Sequence, residues 1–476
     1  MAEETGSTYG TWAPPIYDMT HPPNDIHSYQ VDGGPLCEGR AGDPSVFARI
    51  AKWCPDGSAA LAQCEDRTFR FLQLPAELLG ITVESTLLAS LPRSLTQSAP
   101  ILDYAWYPAA SVRDAASFCF VASVRECPVK LLDASDGRLR ASYRIVDHRE
   151  RHIAPHSLAF NPGANRLYCG FEDAIEVFDF NCPGEGTRLR TTPSKKSRDG
   201  LKGIISALSF APDMSSGLYA AGTLSPSSPT SSNIAIFSED TGEAPVMFLG
   251  ADDPQRGAGY GVRASVSQLM FNPARPYLLY ASFRRMDTIF CWDLRADVGR
   301  PLAKYTTAPR PISGKERRAA TNQRLRFDID YGGRWLSVGD EDGGISVFDL
   351  AAQPDPASGE NAPQPSSTPR TTPIMQFDAH RDAVGSVAFH PLRPLLLSVS
   401  GARHFEDPAS ASGDRSDSDD DMEDAEIAGA SSAKSGELPA VTISRQRPQP
   451  IALDASVKLW SFERAVGHDV EVQVTC

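Results

Sequence analysis

The sequence predicts an all-β protein, a β-propeller of seven blades, and three observations carry that expectation. A strand-turn-strand pattern recurs along the 476 residues. Each copy alternates apolar and polar residues with period two, the spacing of a half-buried strand. First strands run into an aromatic residue, then a Pro and a tight turn, the punctuation of short antiparallel strands. One four-stranded unit cannot bury both of its faces. Units stacked radially bury one another and leave only short edges.

The units follow in order. The first two are "FARIAKWCPDGSAALAQCEDRTFRFLQLP" (47–75) and "ILDYAWYP" with "FCFVASVRECPVKLLDASDG" (101–137). The next two are "HSLAFNPGANRLYCGFEDAIEVFDF" (156–180) and "IISALSFAPDMSSGLYAAGT" with "NIAIFSEDTG" (204–242). Then come "VSQLMFNPARPYLLYASFRRMDTIFCWDLR" (266–295) and "QRLRFDIDYGGRWLSVGDEDGGISVFDL" (323–350). The last is split into "AVGSVAFHPLRPLLLSVSGARHF" (383–405) and "ASVKLWSFER" (455–464). "DAHRDAVGSVAFHP" and "CWDL" are the pieces most typical of a WD40-type repeat. Other repeats are degenerate, so six or eight blades stay open. The propeller is expected over 36–464, with an irregular segment at 1–35. A closing strand comes either from residues before Phe47 or from the tail within 465–476; the sequence does not choose. Two stretches lack any apolar pattern and are expected to be disordered. One is a Pro/Ser-rich linker at 353–373. The other is an acidic insertion in the last blade at 406–450.

Composition narrows the function classes. The N-terminal "MAEETGSTYG" is polar, and no apolar run approaches the ~18 residues of a membrane span, so neither signal peptide nor membrane association is expected. Nine cysteines are scattered without a CxxC pair, which suits small buried hydrophobes in a reducing compartment better than zinc or disulfides. The net charge is −14, but Glu406 to Glu426 alone carries −9, so the propeller is far less acidic than the total.

No constellation points to an enzyme, a metal or a cofactor. "RGAGYG" (256–261) lacks the strand-to-helix context of a phosphate cradle. "DSDDDMEDAEIA" (417–428) puts Met422 where an EF-hand needs Gly and Ala428 where it needs Glu. Cys127 follows Arg125 but has no identifiable His partner, and reads as a turn residue. His156 and His380 each precede a first strand, where a His ties into the hydrogen-bond network of the blade. Trp292, Asp293 and Trp460 read as structural parts of the propeller. Ser416 and Ser418, each with an Asp three residues on, are candidate phosphorylation sites whose added charge would strengthen the acidic insertion.

The placement of basic residues is more telling. In a propeller, the loop before a first strand and the turn between second and third strands open on one face. Arg125 and Glu126 occupy such a turn, as do Arg284 and Arg285. Lys202 and Arg324 precede first strands, together with Asn322 and Gln323. Arg with amide side chains suits phosphates and exposed base edges, so an anionic ligand is expected there.

The pieces "DYAWYP", "RECPVKLLDASDGRLRASYR", "GIISALSFAP", "CWDLR", "TNQRLRFDID" and "HPLRPLLLSVSGARHF" resemble the telomerase Cajal body protein family, including its fungal, splicing-associated type. The resemblance runs from about residue 47 to 464. It implies a nuclear, non-enzymatic scaffold, monomeric within a larger complex. Its partners would be small nuclear RNA, RNP proteins and other proteins, and its RNA-facing candidates the eight residues of that face. The Glu172-Asp173 turn departs from the family pattern. The chain also begins without the long Pro-rich extension of animal members, so a small-nuclear-RNA or splicing role is expected ahead of a telomerase role. The competing expectation is a protein-interaction propeller without RNA contact.

Overall fold

The computed structural model describes residues 13–31, 46–72, 74–75, 91, 94–194, 196–197, 199–224, 233–250, 262, 264–307, 322–351, 368–405 and 450–463. The alternating segments form seven blades. The inner strands of blades 1 to 4 are Ala48–Trp53, Ile101–Trp106, Ser157–Phe160 and Ile205–Phe210. Those of blades 5 to 7 are Val266–Phe271, Phe327–Ile329 and Val384–Phe389. Strands within blades 1 to 4 pair antiparallel in chain order, as short turns require.

Seven apolar layers hold the ring, one between each pair of neighbouring blades. Phe69, Tyr104 and Phe120 pack between blades 1 and 2, and Phe283, Phe290 and Trp292 between blades 4 and 5. The cycle closes where blade 1 meets blade 7; there Ala51 and Trp53 join Leu397, Val399 and Leu459 in one layer. Polar groups on inner strands stitch the same seams. Asp103 Oδ2 accepts from Leu158 N at 2.9 Å, Ser386 Oγ from Ala51 N at 2.9 Å, and Asp328 Oδ2 from Phe389 N at 2.7 Å.

Closure corrects the expectation that 1–35 is irregular. Asn24–Gln30 is a strand, paired antiparallel with Ser456–Ser461 as the outer strand of blade 7. The first and last parts of the chain therefore share one sheet, and the C-terminal alternative is not needed to complete the blade; 464–476 lie outside the described residues. Of the two closing segments the sequence left open, the one before Phe47 is used; an outer strand has one partner and one open edge, so polar residues such as half-buried His27 and exposed Ser28 satisfy it.

Two further boundaries shift. Arg370–Thr371, within the expected 353–373 linker, adds a short parallel strand to the outer edge of blade 5. Pro450–Ile451 pairs with His404–Phe405, so the acidic insertion departs from and returns to a small hairpin. Buried Asp382 binds both arms of that hairpin. Its carboxylate accepts from His404 Nε2 at 2.8 Å, Ala402 N at 3.2 Å and Leu453 N at 3.1 Å. Ser416 and Ser418 lie outside the described residues.

In blade 7 the His380 ring spans two hydroxyls, with Nδ1 2.8 Å from Ser456 Oγ and Nε2 2.7 Å from Ser398 Oγ. Trp460 Nε1 also donates to Ser398 Oγ, at 2.8 Å. Replacing Ser398 by Ala orphans two buried groups, each worth roughly 1–3 kcal/mol, so S398A is expected to lose about 2–4 kcal/mol in denaturant unfolding. An unchanged midpoint would contradict that role.

Asp328 gives a pH-dependent prediction. Burial, then repulsion from Asp330, pushes its carboxyl from 3.8 up to about 7. The folded state thus holds this proton more tightly than the unfolded chain. The associated stability is full below pH 3.8 and is lost as pH rises through about 7. Asp328→Asn stays neutral and keeps an oxygen for Phe389 N. It is expected to match the parent near pH 4 and to unfold at a higher midpoint at pH 8; an equal difference at both pH values would contradict this.

Candidate functional site

Backbone irregularity at the inner strands shapes one end of the central channel. Five inner strands shift register after their first residue, as between Ala48 and Ile50 in blade 1 and between Val384 and Ser386 in blade 7. A bulge re-aims the extra side chain. In blade 1 that residue is Arg49; in blade 7 it is Gly385. A Cβ on Gly385 would stand 2.7 Å from the Arg49 carbonyl oxygen and 2.9 Å from Gln323 Nε2. Arg326 N donates to Gly385 O at 3.0 Å. A residue without a side chain thus lets the entry to blade 6 press against the start of blade 1.

Cations converge there. Burial, then Arg326, Arg284 and Arg49, drives the Arg324 guanidinium down to about 10, with Asp103 opposing. It remains charged at neutral pH, held among like charges. Arg326 is likewise pushed down by burial and steadied by Asp103. Lys52 Nζ lies 3.6 Å from Asp103 Oδ1 and 4.5 Å from the Tyr104 ring centroid. Glu65 binds both Arg49 and Arg403. Arg285 Nε donates to Asn322 Oδ1 at 2.7 Å. The Nε groups of Arg284 and Arg326 are buried with no hydrogen-bond partner among the described residues.

The expected site residues divide accordingly. Arg284, Arg324 and Gln323 gather at the channel mouth, with Arg285 and Asn322 joined beside them. Arg125 and Glu126 are exposed on the blade 2 turn, where Glu126 adopts φ 60°. Lys202 is half-buried on the loop entering blade 4. His156 was expected in a blade network like that of His380. Burial, then the charges of Arg324 and Arg125, lowers its pKa. Trp292 is buried between blades 4 and 5. Asp293 pairs with Arg295 at 2.9 Å. Cys127 Sγ sits 3.6 Å from Ser98 Oγ.

Sequence reasoning missed Arg49, Lys52, Arg326 and Arg403, and with them the centre of the cluster. The available signal for Arg49, Lys52 and Arg326 was charge within or just before otherwise apolar inner strands, "FARIAKW" and "RLRFDID". The acidic turns on this face spend their carboxylates on backbone. Asp173 Oδ1 accepts from Gly203 N at 2.7 Å, and Asp340 Oδ1 from Gly344 N at 2.7 Å.

Comparison with known proteins agrees with this architecture. The family model described as "WD domain, G-beta repeat" matches residues 371–404. "Telomerase Cajal body protein 1" of Mesocricetus auratus is 32% identical over 79% of this chain and 62% of its own length. The Homo sapiens protein of that name is 32% identical over 77% of this chain and 59% of its own. "Guanine nucleotide-binding protein negative regulator 1" of Schizosaccharomyces pombe is 29% identical over 63% of this chain and 70% of its own. The chain thus spans about three fifths of the length of these mammalian relatives. With seven blades and 32% identity over more than three quarters of its length, the chain is similar to the telomerase Cajal body proteins of mammals.

Proposed function

We propose that the protein is a nuclear, non-enzymatic scaffold that holds small nuclear RNA of the Cajal-body type against the cationic channel mouth and supports assembly, localisation or splicing by that particle. The observation that carries this reading is the convergence of Arg49, Arg284, Arg324 and Arg326 in a protein of net charge −14. Like charges crowded beside a channel work against the fold, and a polyanion relieves them. The names of the mammalian relatives support a Cajal-body setting. Exposed Arg125 and Arg285 extend the surface outward, as a strand of several phosphates needs.

A second reading, a protein adaptor without RNA contact, is favoured by the name of the Schizosaccharomyces pombe relative, a regulator of another protein. Ultraviolet crosslinking in living cells, with sequencing of the RNAs that copurify, separates the two. Recovery of small nuclear RNAs is expected; recovery of no RNA above background would favour the adaptor.

Binding through phosphates is steeply salt-dependent, with a log–log slope of about −0.7 per contact on single strands. Replacing both Arg284 and Arg285 by Ala is expected to flatten the slope by about 1.4 if each serves one phosphate. An unchanged slope would remove this pair from the interface.

A further inference from the structure

The channel mouth contains a more specific feature than a basic surface. Three chain segments contribute guanidinium groups: Arg49 from the bulge of blade 1, Arg284 from the blade 5 turn, and Arg324 with Arg326 from the entry to blade 6. Glu65 occupies Arg49 on its outer side, and Asp103 is engaged by Lys52 and by Leu158 N. No carboxylate among the described residues is in hydrogen-bond contact with the Nε groups of Arg284 and Arg326, which are buried donors without acceptors. Native proteins rarely leave such donors empty-handed, because each unmet buried donor is destabilising.

We infer that the channel mouth is a built pocket for a single phosphate group, gripped by Arg284, Arg324 and Arg326 and backed by Arg49. A carboxylate is planar and is satisfied by one guanidinium fork. Guanidiniums arriving from separate segments suit a tetrahedral group whose oxygens point in three dimensions, and its negative charge offsets the local excess of positive charge. The segment 322–326 is held against Gly385, so the pocket is preformed rather than assembled by surface side chains. This deepens the RNA reading, on which it rests only for the molecule that delivers the phosphate. An RNA backbone and a free phosphoanion offer the same chemistry.

The test uses the full chain and three variants: Arg324→Gln, Arg324→Lys, and Arg300→Gln as a control on an exposed turn of blade 5. Thermal midpoints are read against sodium phosphate and pyrophosphate, with sodium chloride at matched ionic strength. A saturable rise beyond chloride is expected for the parent and the control. Arg324→Gln should need ~10-fold more phosphate for the same rise, and Arg324→Lys an intermediate amount. Arg324→Gln should itself melt no lower than the parent, since it removes repulsion, so lost binding is not lost folding. No saturable rise in the parent, or an undiminished rise in Arg324→Gln, would overturn the pocket. A parallel titration with short mixed-sequence single-stranded RNA separates the two ideas. RNA binding without a phosphate response overturns the pocket and leaves the RNA reading intact. A phosphate response that Arg324→Gln abolishes, with no RNA binding, upholds the pocket as a site for a free phosphoanion and removes the RNA reading.

Discussion

Everything at the channel mouth depends on closure of the ring by Asn24–Gln30 against Ser456–Ser461. A blade buries its faces only against two neighbours, so an open array would leave one face of blade 1 and one of blade 7 in water. Closure turns seven inner strands around one axis. It also places blade 7 beside blade 1, which is why Arg403 and Arg49 can share Glu65 although they are far apart in the chain. The same contact brings the Arg49 carbonyl against Gly385, on which the entry to blade 6 also rests. The cluster is therefore a property of the closed ring and of no single blade.

That geometry sets fold and function against each other. Asp103 serves the seam between blades 2 and 3 through Leu158 N while it steadies Lys52 and Arg326. Without it the buried cations would stand among like charges alone. With it the mouth still carries more positive than negative groups. The excess is tolerable because seven apolar layers hold the ring elsewhere. A site whose charge is uncompensated until a ligand arrives is the expected form of a preorganised anion pocket.

Much of the architecture was legible because its signals are local. Period-two alternation, Pro turns and Gly137 or Gly333 at turns with positive φ mark blades without reference to distant residues. Arg284, Arg285 and Arg324 were also legible, since a turn or entry loop can be assigned to one face from its place in the repeat. Arg49, Lys52 and Arg326 were not. A charged residue within a strand normally signals a solvated face, and only the closed ring makes that face a channel wall. The choice of Asn24–Gln30 as the closing strand, one of two candidates, was not legible for a related reason, because its partner lies far along the chain. The hydroxyls that hold His380 come from its own blade.

The most direct measurement is peptide mapping of the protein after ultraviolet crosslinking to the RNA it copurifies with. A channel-mouth interface predicts crosslinked peptides that contain 47–54, 284–285 and 322–326, with weaker sites at Arg125. Crosslinks confined to turns such as Asp293–Arg300, or to Arg138 and Arg140, would place the RNA elsewhere and contradict the assignment of the cationic mouth as its site.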